Sequence, residues 1–314
     1  MNILFTFRPP RVIQADLQKK FPNETFSFYK HIDEARPLHE AEIIVTFGRD
    51  LTKELIDECE SLKWIMVVSA GIEEMPLQAI KERDILLTNA KGIHKTPMAE
   101  FTIGFMLDHV KRFAELRRLE QTETWNKQLP LGELYGKEVT LLGTGAIGQE
   151  IARLAKAFHM TTVGVNKSGH PAAGFDRVFS IEELTAAVHK ADFVVSVLPS
   201  TPDTVGALQS EHFQAMKNSA VFINIGRGDL VSETVLLSAI NDEEIAHAYL
   251  DVFVEEPLSE GHPFWRHPGI TVTPHISSVT ERYVPRAIEI FEHNLHCFID
   301  GGEYANIIDV SKGY

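Results

Sequence analysis

Three residues in the C-terminal half could carry acid–base chemistry together. Arg227 closes the run Val221-Phe-Ile-Asn224-Ile225-Gly226-Arg227, Glu256 closes Ala248-Tyr-Leu-Asp251-Val-Phe-Val-Glu255-Glu256, and His275 closes Ile270-Thr-Val-Thr-Pro274-His275. Each run begins as a short apolar stretch of strand character, so three successive strands deliver a guanidinium, a carboxylate and an imidazole at their C-terminal ends. Singly they are ordinary, because strand-end Arg and Glu are commonly solvated and most of the 14 histidines must be surface or packing residues. As a set they match hydride transfer to a 2-keto acid. That reaction needs a cation for the carboxylate, a proton donor for the keto oxygen, and a carboxylate that orients the donor and favours its charged form.

The hydride carrier is indicated upstream by Val139-Thr-Leu-Leu-Gly143-Thr-Gly145-Ala146-Ile147-Gly148, which reads strand, tight turn, helix. Gly143 lets the chain turn, Gly145 lets backbone approach a pyrophosphate, and Gly148 lets the helix pack on the strand. The N–H groups near Ala146 and Ile147 then meet the phosphates at the positive helix end. Ile147, Ile151, Leu154 and Phe158 follow at helical spacing, and a second strand, Thr161 to Val165, closes a unit about thirty residues long. An NAD site usually has an acidic residue at the end of that second strand, on the ribose hydroxyls. Here Asn166, Lys167 and Ser168 stand there instead. A cation and a hydroxyl suit a 2′-phosphate, so NADP (NADPH) is favoured and NAD remains possible. Phe193 to Pro199 is another buried strand, and the polar loop Ser200 to Thr204 at its end should border the cofactor.

The elements that position these groups follow an alternating pattern. Ile3 to Phe7 reads as a strand, Val12 to Lys20 as a helix, Ile43 to Phe47 as a strand, and a helix starts at Thr52, which signals a parallel α/β domain. Two further strands end in the small-residue loops Ser69-Ala70-Gly71-Ile72 and Asn89 to Gly92. Ligands in open α/β sheets bind outside such ends, where uncovered amides can hold a small anion. Arg49 follows the second strand and could lean over the same place. Thr96-Pro97 opens a helix to about Leu119, whose first half is apolar nearly all round at Phe101, Ile103, Phe105 and Met106, and it suits an interdomain or dimer role.

The whole chain sets bounds. Its 314 residues leave room for about two domains of roughly 150 each. Cys59 and Cys297 form no C-x-x-C pattern, so neither a disulfide framework nor a metal site is indicated, which suits a reducing cytoplasm. The N-terminal run is too short and too poor in basic residues for a signal peptide, and no run approaches membrane-spanning length. A net charge of −14 with dispersed basic residues argues against nucleic acid as a partner.

Nearly the whole chain resembles the D-isomer-specific 2-hydroxyacid dehydrogenases. The matching residues, in order, are Ser69-Ala-Gly71-Ile, Gly92 with Ala99-Glu100, the Gly143, Gly145, Gly148 corner, Leu198-Pro199-x-Thr201-Pro-x-Thr204, Asn224-x-x-Arg227-Gly228, Leu250-Asp251-Val-Phe-x-x-Glu256-Pro257 and Thr273-Pro-His275-Ile. The resemblance implies that His275 is the acid/base, that Glu256 is its partner, and that Arg227 binds the substrate carboxylate and polarises the carbonyl. It also implies that Leu198, Pro199, Thr204, Ile225, Gly226 and Asp251 border the cofactor, with Asp251 on the nicotinamide side, and that the Ser69 to Ile72 amides hold the carboxylate. The implied fold is two Rossmann-like α/β domains with parallel sheets around a cleft. The outer, flavodoxin-like substrate domain is built from residues 1–97 and 281–314, the dinucleotide-binding domain from 98–280, and the implied assembly is a homodimer. Tyr283 to Ile299 supports this as an amphipathic helix returning to the first domain, and no appended regulatory domain is expected after Tyr314.

Departures from the family pattern are Glu73 for Asp, Met98 for Val, His159 for Gly, and Asn166 for Asp. The last resembles the NADPH-preferring glyoxylate and hydroxypyruvate reductases of the family, so the leading expectation is a cytosolic reductase of such small 2-keto acids. The alternatives are an NAD-dependent enzyme for D-lactate, D-glycerate or a bulkier 2-keto acid, and a dinucleotide-sensing binding protein.

Overall fold

The computed structural model describes residues 1–35, 38–72 and 74–310, so residues 36 and 37, Glu73 and residues 311–314 lie outside it. In chain order the elements are β1 (Asn2–Phe5), α1 (Arg11–Lys20), β2 (Thr25–Phe28), β3 (Ile43–Thr46), α2 (Lys53–Glu58), β4 (Trp64–Val67), α3 (Leu77–Glu82) and β5 (Leu86–Asn89). There follow α4 (Lys95–Lys111), α5 (Phe113–Gln121), β6 (Glu138–Leu142), α6 (Ala146–Ala157), β7 (Thr161–Asn166), β8 (Arg177–Ser180), α7 (Leu184–Val188) and β9 (Phe193–Ser196). The chain closes with α8 (Ser210–Ala215), β10 (Val221–Asn224), α9 (Glu233–Asn241), β11 (His247–Leu250), β12 (Ile270–Val272) and α10 (Tyr283–Asp300). It forms two compact units, Met1–Ile93 with Thr280–Tyr314, and His94–Val279.

The first unit holds a parallel sheet in the order β2-β1-β3-β4-β5. Its central strands β3 and β4 are buried at every position and apolar except at Thr46, because both faces of the sheet are covered. Ile43, Val45, Trp64 and Met66 enter one core together with Phe291 and Leu295 of α10, while Ile44, Ile65 and Val67 enter the core on the other face. The C-terminal segment is tied to this unit by the Thr88 and Ile307 bridge and by Asn294, whose buried side chain exchanges two hydrogen bonds with the backbone of Ala305.

The second unit holds seven parallel strands in the order β12-β11-β10-β9-β6-β7-β8. The same alternation splits its core in two. Leu142, Val194, Phe222 and Leu250 face one layer, and Leu141, Val195, Ile223 and Tyr249 face the other. Order reverses at β6, since β7 and β8 lie to one side and β9 to β12 to the other, so β6 sits at the topological switch point.

Three local differences from the sequence reading have physical causes. The helix expected from Thr96 to Leu119 starts at Lys95 and is broken in two by Arg112, whose backbone turns left-handed at φ 51° and closes on the carbonyls of Asp108 and His109. In α6 the buried stripe is Gly148, Ile151, Ala152 and Ala155, with Leu154 half-buried and Phe158 exposed. The smallest residues face the sheet because helix and strand nearly touch: a methyl group on Gly148 would lie 2.0 Å from the Gly143 carbonyl oxygen. The edge strands β2 and β8 escape detection because Thr25-Phe-Ser-Phe28 and Arg177-Val-Phe-Ser180 are only partly buried and lack the continuous apolar run that marks the inner strands.

Candidate active site

The carboxyl edge of the second sheet collects the chemistry. After β10 the chain turns tightly through Ile225, Gly226 and Arg227. The Asn224 side chain holds this turn, accepting from the Gly226 amide at 3.1 Å and donating to the Arg227 carbonyl at 2.9 Å. A methyl on Gly226 would lie 2.7 Å from the Leu198 oxygen, so the turns after β9 and β10 are in close contact. Arg227 is exposed, and its guanidinium donates to the Gly226 carbonyl at 2.7 Å.

After β11 and β12 the turns carry Glu256 and His275. Glu256 Oε1 accepts from the Phe253 amide at 3.0 Å, and Oε2 meets His275 Nδ1 at 2.6 Å. Partial burial works against the Glu256 charge, but the His275 hydrogen bond, the Phe253 amide and the positive charge of Arg227 outweigh it and hold this carboxyl below the ordinary glutamate range. An ionised carboxylate only accepts hydrogen bonds, so the proton of the shared bond sits on Nδ1 and Nε2 is left for other work. His275 itself stands at φ 52°, an uncommon conformation for a residue with a side chain.

Asp251 explains what maintains that conformation. Its carboxyl group is fully buried and accepts from the Thr273 hydroxyl at 2.6 Å, the Ile276 amide at 3.0 Å and the Ser277 amide at 2.9 Å. These donors bracket His275 on both sides. Burying a carboxyl is costly unless its oxygens find donors, and here the donors are the loop that aims the imidazole. Beside the pair lies a recess of about 370 Å³ lined by Phe253, Pro257, Leu258, Trp265 and Pro274 with Glu256 and His275.

The glycine turn after β6 has the form a dinucleotide requires. Gly143 sits at φ 110°, and a side chain there would meet Val197 at 2.9 Å, whereas Gly145 faces open space. Gly145 and Ala146 are exposed where α6 begins, which suits a pyrophosphate at the helix end. At the end of β7 the Asn166 side chain accepts from the Ser168 and Gly169 amides and donates to the Thr144 hydroxyl at 3.1 Å and to the His170 carbonyl at 2.9 Å. Its polar atoms are thus committed to shaping the loop. Lys167 reaches out to Asp203, Nζ to Oδ2 at 2.7 Å. In the neighbouring turn the Thr204 hydroxyl bonds the Pro199 carbonyl at 2.6 Å and the Thr201 amide at 2.9 Å.

In the first unit, Ser69, Gly71 and Arg49 line one recess of about 330 Å³ with Phe47, Glu74 and Tyr283. The Ser69 hydroxyl donates to the Gly71 carbonyl at 2.8 Å, the Asn89 side chain holds the Ala70 carbonyl at 2.6 Å, and Ile72 anchors the loop in the core. Arg49 is exposed and faces Glu74 at 3.4 Å. Sequence reasoning missed Thr144, Asp203 and Thr273 as partners of the expected residues. Thr144 and Asp203 stand between the residues that define their motifs, and Thr273 had only its place two residues before the histidine to mark it.

Residues 103–277 match the family model of the D-isomer specific 2-hydroxyacid dehydrogenase NAD binding domain. A glyoxylate/hydroxypyruvate reductase A of Serratia proteamaculans is 32% identical over 218 residues, 69% of this chain and 68% of that protein. The crystal structure of a family protein from Aeromonas salmonicida superposes with a TM-score of 0.83 at 31% identity, covering 98% of this chain and 99% of that one. An NADPH-dependent glyoxylate/hydroxypyruvate reductase of Sinorhizobium meliloti, solved with NADP and sulfate, has a TM-score of 0.75 at 25% identity, covering 100% and 99%. The chain belongs to the D-isomer specific 2-hydroxyacid dehydrogenases, and it is an NAD(P)-dependent oxidoreductase acting on the CH–OH group of donors. Among the described residues no helix is long and apolar enough to cross a membrane.

Two predictions follow from this geometry. In Asp251→Asn an NH2 replaces the oxygen that receives the Ser277 amide, setting donor against donor, at a cost of about 1–3 kcal/mol. Urea unfolding should show that loss together with a fall in turnover, and a variant as stable as the parent would remove the anchoring role. Because the Glu256 pKa is lowered on folding, its contribution to stability is present above the ordinary glutamate value and vanishes as pH falls through the lowered one. The urea midpoints of the parent and Glu256→Gln should therefore differ at pH 7 and converge as pH falls through the lowered value. A gap that persists unchanged in acid would contradict the ion-pair reading.

Proposed function

We propose that this enzyme reduces small 2-keto acids such as glyoxylate and hydroxypyruvate to D-2-hydroxy acids, with NADPH preferred. The observation that carries the reading is the 2.6 Å contact of His275 Nδ1 with Glu256 at the sheet edge that also carries Arg227. A bound dihydronicotinamide supplies the hydride. Protonated His275 then gives the Nε2 proton to the keto oxygen, while Glu256 keeps the ring oriented through Nδ1. Arg227 binds the substrate carboxylate and polarises the carbonyl. Asp251 acts as a positioning residue through the loop it anchors. In the first unit, the Ser69 to Ile72 loop is the proposed carboxylate-binding loop, with Arg49 beside it.

The same reading gives the dinucleotide role to residues 98–280 and the substrate role to 1–97 and 281–314. Support for NADPH comes from the absence of an acid at the end of β7, the exposed Lys167 and Ser168 there, and the NADP bound in the Sinorhizobium relative. The substrate class rests on the activities for which the Serratia and Sinorhizobium relatives are named. A cytoplasmic homodimer completes the proposal. Trp125, Tyr135 and Leu131, between α5 and β6, expose 87%, 71% and 53% of their surface, which favours burial against a second copy.

Initial rates of NADPH and NADH oxidation with glyoxylate and hydroxypyruvate at neutral pH test the activity. Turnover preferring NADPH is expected, with His275→Ala slower by about 10²-fold to 10⁴-fold. Preference for NADH would overturn the cofactor choice, and full activity of His275→Ala would overturn the acid/base. Sedimentation should give twice the monomer mass, and a monomer would remove the dimer.

A further inference from the structure

The sheet order β9-β6-β7 places the glycine turn after β6 between two charged loops, one following β7 and one following β9. The Lys167 to Asp203 pair links those loops, Nζ to Oδ2 at 2.7 Å, and so spans the mouth of the turn where a dinucleotide is held. Both side chains are exposed, at 84% and 66%, so the pair is weak and exchangeable. The loops beneath are not loose: Asn166 fixes one through four hydrogen bonds, and Thr204 fixes the other against Pro199 and Thr201. The two charges are therefore presented from built turns. The usual ribose-binding acid is missing from the end of β7, and Asn166 cannot replace it, because its oxygen is already taken by two amides. The carboxylate at this place comes from the other loop.

We propose that Asp203 sets the balance between the two dinucleotides. Without a 2′-phosphate its carboxylate holds Lys167 and offers an acceptor to a ribose 2′-hydroxyl, the role an acid at the end of β7 fills in NAD sites. With a 2′-phosphate the ammonium must turn to the phosphate, and Asp203 remains nearby as a like charge that weakens the complex. Asp203 thereby narrows the preference for NADPH and keeps NADH usable. The inference rests on the reading of Lys167 as the 2′-phosphate contact, and the two can be separated experimentally.

The test is titration of the whole enzyme with NADPH and NADH, read by nucleotide fluorescence without substrate. Replacing Asp203 by Asn removes the charge on an exposed side chain. Affinity for NADPH should rise about threefold to tenfold, affinity for NADH should not rise, and the gain should shrink at 1 M salt, where the Debye length is about 3 Å. Equal changes for both cofactors, or none, would overturn the role of Asp203. Lys167→Ala reports on the underlying reading: weaker NADPH binding supports it, and unchanged binding would refute the phosphate contact whatever Asp203→Asn does.

Discussion

Every strand in both sheets runs parallel to its neighbours, and the rest of the structure depends on that constraint. A parallel sheet buried on both faces has no surface of its own for chemistry, so its loops at the carboxyl edge must supply it. Arg227, Glu256 and His275 come from three consecutive strands, 19 residues separating the last two, yet Glu256 and His275 meet at 2.6 Å because adjacent strands end together. The register of β10, β11 and β12 sets that meeting, and the register in turn follows from which residues face each core.

The edge is held by polar groups that never reach the surface. Asp251, fully buried, gathers one hydroxyl and two amides from the loop around His275, and Asn224 does the corresponding work for the turn that carries Arg227. Such groups are expensive to bury and for that reason tolerate few arrangements, which is what a proton donor needs from its support. The proposed acid/base is thus half-exposed while its anchor is wholly enclosed.

The departures from the family pattern divide by the same logic. His159 turns left-handed at φ 59°, the conformation that explains why glycine is common there. Met98 is buried among other apolar side chains and changes only packing. Asn166 differs in kind, since replacing a carboxylate by an amide removes the charge at the strand end and adds the Nδ2 donor that bonds the Thr144 hydroxyl and the His170 carbonyl.

Much of the fold was legible in the sequence. Continuous apolar runs announce strands buried on both faces, and the glycines at 143, 145 and 148 announce a corner where backbone must turn and approach closely. These are local requirements, written within a few neighbouring residues. The candidate catalytic residues could be named for the same reason, each closing its own strand. The small-residue stripe of α6, the Asp251 anchor and the Lys167 to Asp203 link were decided only by the tertiary structure. Each depends on what a side chain meets from elsewhere. The partners of Asp251 lie 22 to 26 residues away and that of Lys167 lies 36 away, distances over which local pattern carries no information about contact.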